Sequence, residues 1–554
     1  MAFVVRTVLI LCLFSQAKAT IIHVPGDATT IQGGIDGAVD GDTVLVAKGI
    51  YYENVDVNKA VHLIGEGRDS TIIDGGGIDR VVAVSAGLVS ITGFTIRNCG
   101  VYDAGIYLAP TSSHNAISDN IVTSNTGYGG IHSEGSDSNT IWSNIVSYNK
   151  RGIYLLTRSC SNILVGNQFA NNTVCGIRLE GTSTDNVISG NEFTNNGGRG
   201  IFADGYCDRN QIVENLFDGN LAGVYLCHSF SNIVSRNTMN NNCWGAWLDT
   251  WAAQNMVVEN ILDGNEEGIA VTDASNNTVS HNTVMNSLYS GIDVQGKANT
   301  VSGNIIADVE NGIWVEGYNH TIEGNDISNA RQGIYLFWNC HNDSIIANNI
   351  ESCGRGILVE YSHYDNLFAH NTIAGNGTGM DFWGGFNNTI TENTISNSSC
   401  CGIRLTDDCY GNVFYHNNFI DNDTSAWDEG NNTWDNGYPS GGNYWSDYTG
   451  SDDNHGPGQN QAGADGIGDT PHDVPVGVQD AYPFVNPFVC GDVRHDGSID
   501  VADAVFLVNY VLKDGAPPIP ESAGDVNRDA MVDIQDVYYL LVYLFQGGPP
   551  PCGP

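Results

Sequence analysis

Positive charge is scarce in this chain: six Lys and 21 basic residues in all face 63 acidic ones, a formal net charge of −42 over 554 residues. A surface this acidic repels phosphate backbones, which excludes a nucleic-acid binder and favours neutral glycans, divalent cations or basic partners. Methionine is equally rare, at six. No stretch beyond the N-terminus reaches the ~20 apolar residues of a membrane-spanning helix. Helical periodicity is missing from most of the chain, which excludes a compact all-helical protein. Gly (67) and Asn (62) are what the sequence has in excess.

Residues 1–19 place Arg6 before an apolar run from Val8 to Phe14 and then Ala17-Lys18-Ala19. This is the layout of a secretory signal, with a mature chain expected from Thr20 and a secreted or surface-associated protein. Cys12 leaves with it, and the thirteen remaining cysteines are an odd number, so at least one thiol has no partner within the chain. No CxxC or His/Cys spacing is that of a zinc site.

A Gly followed by an apolar residue recurs at Gly105, Gly130, Gly152, Gly176, Gly200, Gly223, Gly245, Gly268, Gly291, Gly312, Gly333, Gly356, Gly379 and Gly402, at intervals of 21 to 25 residues. An Asn column keeps step with it from Asn120 and Asn144 through Asn325, Asn349, Asn371 and Asn393 to Asn417. Short β-branched alternations lie between these marks. The expected fold is all-β, a right-handed parallel β-helix over 20–423 whose inward Ile, Val and Leu form the core. Asn at each turn is expected to bond its counterpart one coil away. Ile31, Ile35 and Val39, spaced i, i+4, i+8, predict a short amphipathic helix covering the first coil.

Gly41-Asp-Thr-Val-Leu-Val46, Tyr52-Glu-Asn-Val55 and Leu63-Ile-Gly-Glu-Gly67 resemble the N-terminal edge of pectin-lyase-like β-helix proteins. The repeats resemble the NosD-like, carbohydrate-binding and sugar-hydrolase class. Thr433-Trp-Asp-Asn-Gly-Tyr-Pro-Ser-Gly-Gly-Asn-Tyr-Trp-Ser-Asp-Tyr448, Asp465-Gly-Ile-Gly-Asp-Thr-Pro471 and Asp480-Ala-Tyr-Pro483 resemble the segment, here 424–488, that closes such domains. Asp452, Asp453, Asp465 and Asp469 there are hard oxygen ligands that suit Ca²⁺, or a solvated polar loop. The NosD resemblance carries a copper-accessory role, for which the sequence offers no Met/His cluster.

With alternate residues after each Gly pointing inward, the second and fourth face out. The second position includes Tyr154, Phe202, Tyr225, Trp247, Trp314 and Tyr335, a stripe suited to stacking on sugar rings; rings that simply pair with coil neighbours are the competing reading. The fourth adds Glu180, Asp204 and Asp249. These three with Arg178, and His228 nearby, are the candidate acid/base site, because same-column carboxylates one and two coils apart bracket the separations that glycosidases use. A second cluster is Asp293, Glu316, Glu360 and Asp381. The reading is a polysaccharide-binding protein with glycoside hydrolase or lyase activity; a non-catalytic adhesion protein is the alternative.

After Pro487 two acidic loop-helix copies follow at a spacing of 33 residues. Asp492, Asp496, Asp500 and Asp503, with the Ser498 carbonyl, and then Asp525, Asn527, Asp529, Asp533 and Asp536, with the Met531 carbonyl, fall on Ca²⁺-ligand positions of an EF-hand-like loop. Leu507, Tyr510 and Val511, and Leu540, Tyr543 and Leu544, share helical faces. The doubled register resembles a type I dockerin over 490–554, which implies Ca²⁺ and a cohesin partner on a scaffold or surface. Two departures stand out: Arg494 replaces an oxygen ligand and Ala530 a turn Gly. Val501, Ala502, Ile534 and Gln535 at the partner-reading positions leave the cohesin unspecified. Cys490 and Cys552 bracket the module and are expected to pair.

Overall fold

The computed structural model describes residues 19–110, 112–361, 363–513, 515–529 and 531–552. The expected export signal, but for Ala19, and Ala530 lie outside them. The described residues form two compact units that divide between Asn167 and Gln168.

The first unit is a parallel β-solenoid of three ladders. One runs through Ile21–Val24, Thr43–Val46, His62–Gly65, Ser90–Thr92, Ala116–Ser118, Thr140–Trp142 and Ile163–Val165, each strand parallel to the next. After Thr43–Val46, consecutive strands of this unit fall in different ladders, so the backbone coils rather than folding back. The stretch from Val89 to Arg97 forms two strands, Ser90–Thr92 and Thr95–Arg97. Gly93 at φ 83 turns the corner between them.

Helix α1 (Ile31–Gly37) covers the first coil, with Thr30 accepting from the Gly33 N–H and with Ile31, Gly34 and Ile35 buried. A Cβ on Gly34 would lie 3.0 Å from both Val24 and Val44, so the glycine lets the helix approach the first two strands. Val39, expected on the buried face, is exposed because the helix stops at Gly37 and Ala38 is extended.

The second unit repeats the architecture. Its long-strand ladder includes Arg199–Asp204, Ala222–Cys227, Trp244–Asp249, Glu267–Ser275, Ser290–Lys297, Asn311–Tyr318 and Gln332–His341, all parallel. The leading Gly of each strand has a steric cause: a Cβ on Gly268 would meet the Gly291 carbonyl oxygen of the next coil at 2.3 Å. The Asn column is buried and continuous. Asn325 N–H donates to Asn348 Oδ1, and Asn348 N–H to Asn371 Oδ1, each at 3.0 Å. The column member is therefore Asn348; Asn349, chosen by spacing, is exposed on a strand. A second, parallel column runs Asn186, Asn210, Asn232, Asn255, Asn277 and Asn299. There His320 and Asp343 replace two amides, with Asn299 N–H donating to His320 Nδ1 and His320 N–H to Asp343.

Strands Ala426–Asp428, Asn431–Thr433 and Tyr444–Trp445 still pair with the coil before them, so the solenoid runs past residue 423. Trp434 and Trp445 then plug its end, stacked on Phe414 and Phe419 at 4.3 and 4.4 Å. Buried Asp480 accepts from Trp445 Nε1 and the Asn443 N–H, tying the closing segment to the last coil.

Helices α2 (Val501–Lys513) and α3 (Ile534–Gln546) pack around Val493, Ala504, Leu507, Val526, Val537 and Leu540. Val511, Tyr543 and Leu544 lie against that core, whereas Tyr510 donates its hydroxyl hydrogen to Glu521 instead. Cys490 and Cys552 form a disulfide, and the other eleven described cysteines are free.

The Asn348→Ala variant strands the buried Asn325 N–H and Ile322 carbonyl that its side chain satisfies. Each costs about 1–3 kcal/mol unpaired, so urea unfolding should show a loss of roughly 2–6 kcal/mol. Its neighbour Asn349→Ala, which loses only an exposed bond to Asp326, should change stability by no more than about 0.5 kcal/mol.

Candidate functional site

Second-position side chains point away from the core, but the stripe they form is not openly exposed. In the first unit Tyr107, His132 and Tyr154 are buried against one another, His132 stacking on Tyr154 at 5.1 Å, with Arg80 over Tyr107 and Arg151 over Tyr154. Burial pushes the His132 imidazole down to about 4. In the second unit Tyr225 is buried between Phe202 and Trp247, and Tyr335 is buried beside Trp314. Coils stack at about 4.8 Å, so rings in one column close over each other. Phe202, Trp247 and Trp314 keep partial exposure. The open rings lie farther along, where the strand leaves the ladder: Trp251 is 69% exposed, and Trp338, Tyr361 and Tyr410 are also exposed. A groove of about 640 Å³ follows this edge, lined by Trp251, Asp273, Lys297 and Tyr318 among others. Tyr318, His341, Tyr364, Phe386 and Tyr410 continue it as a ladder of stacked rings, 4.9–5.3 Å apart.

Of the candidate acid/base residues, Arg178 and Glu180 form an ion pair at 2.8 Å, and Arg178 Nη2 lies 4.0 Å from Asp204. Glu180 and Asp204 face each other on adjacent coils. Asp249 stands apart: Cys227 occupies the coil between, and Asp249 accepts from the Tyr225 hydroxyl at 2.6 Å and from Thr250. In the second cluster Asp381 is fully buried between Arg355 and Arg404, each at 2.7 Å. Glu360 accepts from the Tyr335 hydroxyl. Both are structural partners of neighbouring coils.

Asp293 is different. Going up the column, Trp247 faces Ala270, Ala270 faces Asp293, and Asp293 faces Trp314. Two small side chains thus interrupt the ring column, a gap in the rings between tryptophans roughly 14 Å apart, three coil spacings, with Trp244 stacked on Trp247 at 4.6 Å beside it. Asp293 floors this gap with partial access to solvent. Its confined position, reinforced by the charges of Glu267 and Glu316, pushes its carboxyl up to about 7, against a hydrogen bond from Gln295 that lowers it. Burial also raises Glu267, whose carboxylate accepts from Trp244 Nε1 at 2.9 Å, and Glu316. A carboxylic acid that keeps its proton near neutral pH beside further carboxylates is the equipment of general acid catalysis. Glu267 lies before its Gly, outside the two columns that the strand alternation marks, and the gap depends on which small residues become neighbours.

Two described clusters could hold a metal. In the second dockerin-like loop, Asp525, Asp529 and Asp536 bring carboxylate oxygens within 4.8 Å of one another. Asn527 and Asp533 lie in the same loop, and Asp533 caps α3. The first loop already contains a cation: the Arg494 guanidinium contacts Asp496 and lies 3.5 Å from Asp500 and 3.4 Å from Asp503. Asp492 accepts from the Asp496 and Gly497 N–H groups. The other cluster, Asp204, Cys227 and His228, joins residues from neighbouring coils that no short sequence spacing marks. Asp452, Asp453, Asp465 and Asp469 do not converge in this way. Asp469 accepts from the Asp453 and Asn454 N–H groups, and Asp452 from those of Asp465 and Gly466.

The family described as "Periplasmic copper-binding protein (NosD)" matches residues 35–222, 206–308 and 289–450. The chain belongs to the NosD family. Residues 490–545 of this NosD-family chain match the type I dockerin domain and form one. No curated protein matches the chain. Among solved structures it is similar to the mannuronan C-5 epimerase AlgE6 A-module of Azotobacter vinelandii, at 14% identity and TM-score 0.29 over 73% of this chain and 92% of that one. It is also similar to PfbA, a surface adhesin of Streptococcus pneumoniae, at 15% and 0.39 over 54% and 86%. A third is the tailspike protein of E. coli bacteriophage HK620 in complex with pentasaccharide, at 13% and 0.41 over 70% and 72%. At these values none of their activities transfers to this chain. For copper, the family's description finds a poor donor set here: the cluster of Asp204, Cys227 and His228 offers one thiol, one imidazole and one carboxylate, and Met239 and Met380 are buried in the solenoid core.

Folded Asp293 holds its proton up to about 7, whereas its ordinary value is 3.8. The folded state therefore binds more protons than the unfolded one between those limits, and stability falls as pH rises through that window. Asp293→Asn removes this term. Its urea midpoint should match the wild type at pH 4 and exceed it at pH 8.

Proposed function

We propose that this NosD-family protein binds a polysaccharide along the second unit and hydrolyses it, with Asp293 as proton donor. The observation that carries the reading is the Asp293 carboxyl, raised to about 7 where the ring column is interrupted between Trp247 and Trp314. A sugar ring can stack on the exposed parts of Trp247 and Trp314, and a neutral acid beside it can protonate a glycosidic oxygen. Glu267 and Glu316, whose charges act on Asp293, are the candidates for the second carboxylate, which stabilises the oxocarbenium-like transition state or activates water. The gap favours hydrolysis over lyase chemistry, since β-elimination needs a base and a cation to neutralise a uronate. The Arg178, Glu180, Asp204 and Asp249 group is a weaker candidate, because Arg178 and Tyr225 already engage Glu180 and Asp249. A non-catalytic adhesion protein remains the second reading, favoured by the ring ladder from Tyr318 to Tyr410, a surface for glycan stacking with no acid required.

The dockerin domain implies tethering to a cohesin, and dockerin proteins are typically extracellular or cell-surface components. No helix among the described residues is long and apolar enough to cross a membrane. Calcium is assigned to the second loop, through Asp525, Asn527, Asp529, the Met531 carbonyl, Asp533 and Asp536. In the first loop Arg494 takes the place of the ion among Asp496, Asp500 and Asp503.

Screening the full chain against a polysaccharide panel, with mass spectrometry of every mixture that binds, tests the enzyme reading. Trp247→Ala with Trp314→Ala should weaken binding at least tenfold, a loss of about 1.4 kcal/mol or more. Asp293→Asn should bind normally and lose turnover by 100-fold or more, at the scale of general acid catalysis, ~10²–10⁴. Binding without product across the panel would leave the adhesion reading.

Calorimetric titration of the chelator-stripped chain should find one tightly bound Ca²⁺. Arg494→Asn should restore a second, since it exchanges a cation for an oxygen ligand.

A further inference from the structure

The cluster of Asp204, Cys227 and His228 lies outside the Asp293 gap and shares no residue with it. Asp204 and Cys227 hold the fourth position after Gly on adjacent coils, following the aligned pair Ala203 and Leu226. His228 comes next, at a corner with φ 46. Its Nδ1 lies 3.0 Å from Cys227 Sγ and 3.3 Å from Asp204 Oδ1. All three ligand atoms fall within 4.8 Å of one another.

One ring nitrogen therefore faces both the thiol and the carboxylate. A Cys-His-Asp nucleophilic relay needs the opposite arrangement, with the thiol on one nitrogen and the carboxylate on the other. Donors gathered at one point are arranged as ligands around a shared centre. Zinc bonds of ~2.3 Å to sulfur and ~2.0 Å to nitrogen or oxygen, at tetrahedral angles, put ligand atoms roughly 3.2–3.6 Å apart. The two shortest separations here are close to that range.

The surroundings hold the three groups in place. The Ser229 hydroxyl donates to the Cys227 carbonyl at 2.9 Å, and the Trp251 ring meets the His228 ring edge-on at 5.6 Å. Cys227 is buried, while the Asp204 and His228 side chains keep 34% and 36% of their surface exposed. That leaves an entry path and an outward fourth position for water.

We propose that Asp204, Cys227 and His228 form a zinc-binding site with one open coordination position. Zinc accepts mixed oxygen, nitrogen and sulfur donors with no geometric preference of its own, whereas cuprous copper selects sets richer in thiolate and thioether. Binding replaces the Cys227 thiol proton, which leaves to solvent, by the metal ion, and His228 binds as the neutral ring.

The test uses the full reduced chain in excess Ca²⁺, so that the dockerin loops do not compete. Zn²⁺ titration by calorimetry should show one site, and Co²⁺ should give a sulfur-to-metal charge-transfer band. Cys227→Ser should abolish the band, whereas Cys243→Ser, at another thiol, should leave it intact. His228→Gln should weaken zinc roughly a hundredfold, at least the cost of disturbing an outer-shell partner. Absence of zinc binding, a band that survives Cys227→Ser, or retention of cuprous copper with zinc rejected would each overturn the proposal.

Discussion

Everything in the solenoid depends on satisfying backbone polar groups at buried corners. A strand inside a ladder pairs with the coils on either side, but a corner residue cannot, and an orphaned buried N–H or carbonyl is costly. The asparagine columns solve this. Each side-chain amide accepts the N–H of the residue one coil before and donates to a carbonyl on that same coil, as Asn260 does for Asn237 and for Val234. Because every such bond links coils, the columns also set the register, and register decides which outward side chains become neighbours.

The candidate chemistry inherits that register. Asp293 has an unusual carboxyl because burial withholds water from its charge, with Glu267 and Glu316 close enough to repel a second charge. The same stacking turns Asp381 into a buried ion pair with Arg355 and Arg404 and leaves no chemistry there. Identical residue types in the same column, four coils apart, thus have opposite fates, and the difference lies in what the adjacent coil presents. His320 and Asp343, standing in for column asparagines, are pushed by burial to about 4 and about 8, in the directions that keep each uncharged in the interior.

The fold was legible because a solenoid writes its period into the chain: Gly where coils touch too closely for a Cβ, Asn at the corner, alternating apolar residues between. Where spacing alone was used it slipped, choosing Asn349 over the buried Asn348. The second asparagine column and the ring ladder at the strand exit were present in the sequence, but lie in phases that the Gly count does not index. The dockerin was legible from two acidic loops in one register, and Arg494 was already visible as a departure from it. That the guanidinium reaches Asp496, Asp500 and Asp503 was not visible, since a side chain's reach is not a spacing.

The sequence by itself determined the coil period, the inward and outward faces, the doubled loop-helix module and the excess of negative charge, because each is a local or periodic property of the chain. Tertiary structure alone decided which rings are covered, which carboxylates are paired, where the ring column is interrupted at Asp293, and that Cys227 and His228 meet Asp204. Those outcomes depend on contacts between residues one coil apart, with depth and partners that no single repeat contains.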